Sequence, residues 1–281
     1  MKKISLAYLI IAMLLSLNLS ISAKKGTLFI VGGGKINAEM RDQMLSASGL
    51  GKKGYMVILP MASVAEPEVN IEETKHIFKD VPGLKIVAFN IKKGDTVSQA
   101  QLDSIRNACL VFLSGGDQCH FLDVVEGTGI SEAIHAAYDK GALIAGTSAG
   151  ASLMSRVMVT GNELKYPEDG TFKRIAANNA ETKVGLGFLK DVTVDQHFIV
   201  RKRMNRMISY CIENPNHICV GIDEATGIFV DGDTAKVFGV SQVLVLRNNG
   251  VKKTVGNGLL GAEGLKLDLY LPGDTFKLTW K

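Results

Sequence analysis

Four absences narrow this chain before any motif does. Only four cysteines occur in 281 residues, Cys109, Cys119, Cys211 and Cys219. Their spacings match no zinc pattern, and histidine and cysteine do not cluster, so no metal is expected. Each cysteine has apolar neighbours, which favours buried free thiols; a Cys211–Cys219 bridge stays open in an exported protein. There is no Lys/Arg block and the formal charge is only +4, which argues against a nucleic-acid partner. The triple glycine Gly32-Gly33-Gly34 is followed by Lys35-Ile36-Asn37. The third glycine of a dinucleotide fingerprint is therefore missing, no P-loop lysine stands in context, and no cofactor is expected. No internal repeat is visible.

Long apolar runs are scarce as well. The run from Leu6 to Ile21 follows Met1-Lys2-Lys3 and precedes Ser22-Ala23-Lys24-Lys25. A basic start, a short apolar core and a small residue before a polar break read as a secretory signal over residues 1–23. The core is short for a membrane span of ~20 residues. An exported protein, periplasmic or secreted and free of the membrane after cleavage, is the expectation; an uncleaved anchor is the alternative.

What remains, residues 24–281, is expected to form a single α/β domain. Short apolar runs (26–31, 55–60, 85–89, 109–113 and the run ending at Thr147) alternate with amphipathic segments (38–48, 68–79, 98–107, 130–140). Such alternation predicts a mostly parallel sheet covered by helices on both faces. Further on, 192–195 reads as a strand, and 198–212 as a helix with the apolar stripe Val200, Met204, Met207, Ile208 and Cys211. Residues 220–224 end another strand. The alternating tail, 235–246 and 265–278, predicts C-terminal antiparallel edge strands.

Ligands of parallel sheets bind beyond the carboxyl ends of the strands. Three such ends here are rich in glycine: Gly32–Gly34, Gly115–Gly116 and Gly146–Gly150. In the third, Leu143-Ile144-Ala145-Gly146-Thr147-Ser148-Ala149-Gly150-Ala151 runs from strand into helix. A serine there suits a nucleophile elbow, with a glycine-rich loop or a phosphate cradle as the other readings. A serine nucleophile needs a base. Of the five histidines, His76 and His135 read as surface helix residues, His217 as a turn residue and His120 as a first-turn residue. His197 sits at a strand end on the side of Ser148, as a base or as a helix-start cap.

Four segments taken together resemble one known family. They are Gly115-Gly116-Asp117-Gln118; Gly146-Thr147-Ser148-Ala149-Gly150-Ala151; Asp195-Gln196-His197-Phe198 with Arg201, Arg203 and Arg206; and Gly221-Ile222-Asp223-Glu224. In this order, over about residues 26–245, they resemble the cyanophycinases, serine peptidases grouped with dipeptidase E. The resemblance implies a flavodoxin-like fold related to class I glutamine amidotransferases. It implies Ser148 as nucleophile and His197 as base, with the backbone N–H groups of Gly116 and Ala149 as oxyanion hole. The family's order along the chain points to Glu163 as the triad acid, with Glu224 second and Glu168 and Asp169 as outside choices.

The implied substrate is cyanophycin, a poly-aspartate backbone bearing arginine on each side chain through an isopeptide bond. The implied reaction is exopeptidase release of β-Asp-Arg dipeptides. Asp117, Gln118, Asp195 and Gln196 would meet guanidinium groups, Arg201, Arg203 and Arg206 would meet carboxylates, and Glu224 is a further substrate-binding candidate. A homodimer is also implied, though no segment identifies its interface. Two other functions stay open: a dipeptidase E-like peptidase for small aspartyl peptides, and a non-catalytic binding protein on the same fold.

Overall fold

The computed structural model describes residues 25–280 except 53, 171, 249–252 and 255–256. The expected signal segment, 1–23, lies outside the described residues. Among the described residues no helix is long and apolar enough to cross a membrane.

Strand β1 (Thr27–Val31) leads to helix α1 (Ala38–Ser48), then to β2 (Met56–Leu59), α2 (Pro67–Ile77), β3 (Ile86–Ala88), α3 (Gln99–Arg106) and β4 (Leu110–Leu113). Helices α4 (Gln118–Val125) and α5 (Ile130–Asp139) precede β5 (Leu143–Thr147) and the single turn α6 (Ala149–Ser152). Local chemistry sets these boundaries. Asn37 caps α1 by accepting the Met40 N–H, and Gly49 ends it in the left-handed region at φ 67°. A capping box between Ser98 and Gln101 starts α3.

The second half is richer in strands: the hairpin β6 (Val157–Glu163) and β7 (Ala180–Val184), then β8 (Val192–Gln196), helix α7 (Met204–Glu213) and β9 (Ile218–Ile222). After these come β10 (Thr226–Asp231), β11 (Thr234–Gly239), β12 (Val243–Asn248), the short pair β13 (Lys253–Thr254) and β14 (Leu260–Gly261), β15 (Leu265–Tyr270) and β16 (Thr275–Lys277).

The large sheet runs β16-β11-β10-β1-β5-β4-β2-β3. From β1 to β3 all pairing is parallel, and β10, β11 and β16 extend the β1 edge antiparallel. Alternate residues of its strands feed two cores. Phe29, Ile58 and Phe112 pack with Met40 and Met44 of α1 on one face. Ile30, Val57, Val111 and Ile144 pack with Phe121 of α4 and Ile134 of α5 on the other. Burial on both faces is why these strands read as unbroken apolar runs.

The architecture departs from the expected single sheet in one consequential way. Strands β8 and β9 leave the large sheet and form a second one, ordered β15-β12-β9-β8. One face, with Val194, Val220 and Val245, joins the core of the large sheet. The other, with Cys219, Leu244 and Leu246, lies under Met207, Tyr210 and Cys211 of α7. The expected strand over 235–246 therefore splits between two sheets. It breaks at Gly239 (φ 115°), where a Cβ would stand 2.3 Å from the Ala225 carbonyl oxygen. The expected helix over 198–212 begins only at Met204. Residues 198–203 are turns, Lys202 takes φ 54°, and Val200 is 58% exposed rather than part of the stripe. All four cysteines are free thiols.

Candidate active site

Ser148 occupies the single residue between β5 and α6. Its backbone, at φ 53° and ψ −113°, is one that a residue with a Cβ rarely adopts, at a cost of about 1–3 kcal/mol. Its surroundings are tightly packed. A Cβ on Gly146 would meet the Gly150 carbonyl oxygen at 2.4 Å, and one on Gly150 would meet the Leu113 carbonyl oxygen at 2.3 Å. The Ser148 N–H donates to the Val31 carbonyl at 3.0 Å, which ties the turn to the end of β1. The hydroxyl is thereby held out at the carboxyl edge of the sheet.

His197 reaches the same point from the second sheet. It follows β8 with φ 49°, and its N–H donates to the Gly32 carbonyl at 2.7 Å. Its Nε2 stands 2.8 Å from Ser148 Oγ, and its Nδ1 stands 2.6 Å from Glu224 Oε1. An ionised carboxylate only accepts, so Nδ1 carries the proton and Nε2 is left to accept from the serine. Burial lowers the His197 pKa below its ordinary value. Arg201 and Arg203 push the same way, while Glu224 opposes them. The ring is thus neutral near pH 7 and able to take a proton.

The triple glycine explains how the two sheets meet so closely. A Cβ on Gly32 would stand 2.3 Å from the carbonyl oxygens of Ile222 and Asp223. One on Gly33 would stand 2.2 Å from His197 Cε1, and one on Gly34 would stand 3.1 Å from Glu224 Cβ. These glycines make room for the histidine and its acid. The Ala225 N–H closes the junction by donating to the Gly33 carbonyl at 2.8 Å. Asp223, which sequence reasoning left without a role, holds the turn after His197. It accepts from the N–H groups of Ile199 and Val200 and from the Ser241 hydroxyl.

Glu163 is a correction. It sits at the end of β6, buried, and its two oxygens accept from the Phe172 N–H at 2.6 Å and Asn179 Nδ2 at 2.8 Å. Its carboxylate anchors the 164–179 loop, and it is Glu224 that holds His197. The outside choice Asp169 pairs with Arg174 and Lys173 of the same loop.

Beside Ser148 opens a cavity of about 450 Å³, lined among others by Gly116, Gln118, Phe172, Gln196, Arg201, Arg203 and Arg206. Gly116 takes φ 136°, and a Cβ there would strike the Ala62 carbonyl oxygen, so only glycine fits. Ala149 opens α6, so its N–H has no acceptor within the helix. The three arginines all reach this cavity, but in different states. Arg206 is buried and bound bidentately to Asp195. Arg203 donates to the Gln196 carbonyl at 2.7 Å, and burial, reinforced by Arg206, lowers its pKa to about 10. Arg201 is exposed.

The expected guanidinium acceptors fare less well. Asp195 is fully buried as the counterion of Arg206, so it meets no ligand. Asp117 caps α4, accepting the Cys119 and His120 N–H groups. Gln118 donates its amide N–H groups to the Val159 and Thr160 carbonyls, bonds that fix the side chain without using its acceptor oxygen. Gln196 stays at the nucleophile, with its side-chain oxygen 3.4 Å from Ser148 Oγ. Glu224 is committed to His197.

A strained serine, a neutral histidine bonded to it and a carboxylate behind the histidine define a serine hydrolase. The model of peptidase family S51 matches residues 28–238, and the chain belongs to that family as a serine peptidase. Similar proteins include a cyanophycinase of Nostoc sp., 30% identical over 266 residues that cover 91% of this chain and 87% of the relative. A cyanophycinase of Thermosynechococcus vestitus is 27% identical, covering 92% and 80% of the two chains. Among solved structures, a peptidase from an acI-B1 Actinobacterium superimposes with a TM-score of 0.68 at 19% identity, covering 91% and 98%. A putative peptidase E from Listeria monocytogenes gives 0.55 at 19% identity, covering 77% and 100%. These two likenesses bear on the fold, a mixed α/β architecture around a large, mostly parallel sheet.

Proposed function

We propose that this chain is an exported exopeptidase that cleaves cyanophycin to β-Asp-Arg dipeptides, with Ser148 as nucleophile, His197 as base and Glu224 as the orienting acid. The observation that carries the reading is the Ser148–His197–Glu224 hydrogen-bond chain opening onto a cavity lined by Arg201, Arg203 and Arg206. Each arginyl side group of the polymer ends in a free carboxylate, which a guanidinium receives in two parallel hydrogen bonds. The names of the curated relatives support the same substrate. The export part of the proposal rests on the N-terminal pattern, and fits digestion of polymer released by other cells.

In the reaction, His197 Nε2 removes the Ser148 proton as Oγ attacks the backbone carbonyl. The resulting imidazolium keeps its Nδ1–H on Glu224. The oxyanion falls to the N–H groups of Gly116 and Ala149, and such a donor is worth about 3 kcal/mol in the transition state. Collapse breaks the C–N bond, with the leaving amine taking the proton from His197. Water then hydrolyses the acyl-enzyme through the same base, which restores Ser148. Buried Asp195 holds Arg206 in place through two hydrogen bonds, so the guanidinium is preorganised at the cavity wall.

Incubating residues 24–281 with insoluble cyanophycin, followed by mass analysis, tests the reading. Soluble β-Asp-Arg is expected, with none from Ser148→Ala. Free arginine without dipeptide would sink the proposed reaction. Turnover of small aspartyl peptides with intact polymer would favour the dipeptidase E-like alternative.

A further inference from the structure

Ser148 faces two cavities, and only the arginine-lined one has been given a task. The second measures about 790 Å³ and lies between α1 and α2, with Ser114, Gly115, Thr147 and Ser148 in its lining. Its charges are mixed. Lys35 and Arg41 come from the α1 side, and Glu73, Lys79 and Asp80 from α2 and the turn after it. Lys35, Glu73 and Asp80 make no ion pair among the described residues, while Arg41 shares its guanidinium with the adjacent Asp42. The Ser114 hydroxyl is buried and without a hydrogen-bond partner among the described residues. Asn70 of α2 binds the Gly115 carbonyl at 3.3 Å, so this wall is tied to the loop beside the nucleophile.

A peptidase must seat chain on both sides of the bond it cuts. The two cavities meet at Ser148. One is lined by three arginines and suits anions. The other offers both signs and suits a zwitterion, such as an amino acid that presents a carboxylate and a guanidinium together. We infer that this second cavity is the subsite for the polymer unit across the scissile bond. Lys35 and Arg41 receive the α-carboxylate of that unit's arginyl group, and Glu73 and Asp80 receive its guanidinium. This rests on the cyanophycin reading above.

The test uses the inactive Ser148→Ala protein and calorimetric titration with two ligands, the β-Asp-Arg dipeptide and the oligomer of two such units. The oligomer is expected to bind at least tenfold more tightly. Lys35→Ala with Arg41→Ala, and separately Glu73→Gln with Asp80→Asn, should each remove about tenfold of that gain while leaving dipeptide affinity intact, as expected for charge-assisted contacts. Retained dipeptide binding also shows that the variants are folded. Equal affinity for the two ligands overturns the inference, as does a gain that survives both double substitutions or an equal loss for dipeptide and oligomer. These outcomes leave the substrate reading standing, because the parent protein's release of dipeptide from polymer tests that separately. Failure of the Ser148→Ala protein to bind either ligand overturns both.

Discussion

Two glutamates end up in contrasting places. Glu163 closes β6 and Glu224 follows β9, each a short way from a strand end on the active-site side of the chain. Glu163 is buried, and both its oxygens are occupied by the loop it anchors. Glu224 keeps a third of its side chain exposed and gives one oxygen to His197. The same side chain is a structural tie in one loop and the hydrogen-bond partner of His197 in the other. What separates them is the packing of β8 and β9 into a second sheet, which turns the end of β9 toward the triple glycine. The comparison teaches that the order of acids along the chain does not identify the one behind the base; the acid is set by which strand ends face each other.

Substitutions can break this contrast. The largest effect is expected from Ser148→Ala, with turnover falling by roughly 10⁴-fold or more and the fold unchanged. Turnover on polymer checks it, and residual activity near the parent level would remove Ser148 from the nucleophile's role. Glu224→Gln should lower kcat by about 10²- to 10⁴-fold, because the neutral amide no longer stabilises the imidazolium. A kcat within a few-fold of the parent protein would put the acid elsewhere. Gly33→Ala should approach the same loss by pushing the His197 ring aside, since its Cβ would stand 2.2 Å from Cε1. Here thermal unfolding measured beside kcat separates a displaced ring from a collapsed fold.

Glu163→Gln sharpens the contrast from the other side. Loss of a buried carboxylate that accepts two hydrogen bonds should cost about 2 kcal/mol of stability. It should raise KM through Phe172, which lines the arginine cavity, and leave kcat nearly unchanged. A drop in kcat without a stability loss would return Glu163 to the reaction. The smallest effect concerns pH. The His197 pKa is depressed in the folded protein, so the neutral base predominates down to below its ordinary value near 6.5. The associated stability is present above that ordinary value and lost as pH falls through the lowered one. The acid limb of kcat/KM should therefore lie below 6.5. Arg201→Ala removes a positive neighbour and should move the limb upward, as pH-rate profiles of the two proteins would reveal.

Much of this was legible in the residues. The alternation of apolar runs and amphipathic helices announced the parallel half of the large sheet, because strands buried on both faces carry no polar period. The Gly-Thr-Ser-Ala-Gly turn announced the elbow, because only small residues fit where β5, α6 and β4 crowd together. Residues 198–203 were less legible. By spacing Val200 continues the apolar stripe of α7, yet the chain first turns through Lys202 and hangs from the Asp223 carboxylate. The triple glycine was visible as one of three glycine-rich strand ends. What approaches it is His197 and Glu224, supplied by segments more than 150 residues away in the chain.

The parallel half of the fold, the serine at its turn and the cluster of arginines after His197 follow from local periodicity, residue size and charge, quantities that neighbouring residues express among themselves. The second sheet, the choice of Glu224 over Glu163 and the burial of Asp195 beneath Arg206 follow from contacts between distant segments. Hydrogen bonds and ion pairs of that kind depend on ångström-scale distances that only the packed chain sets.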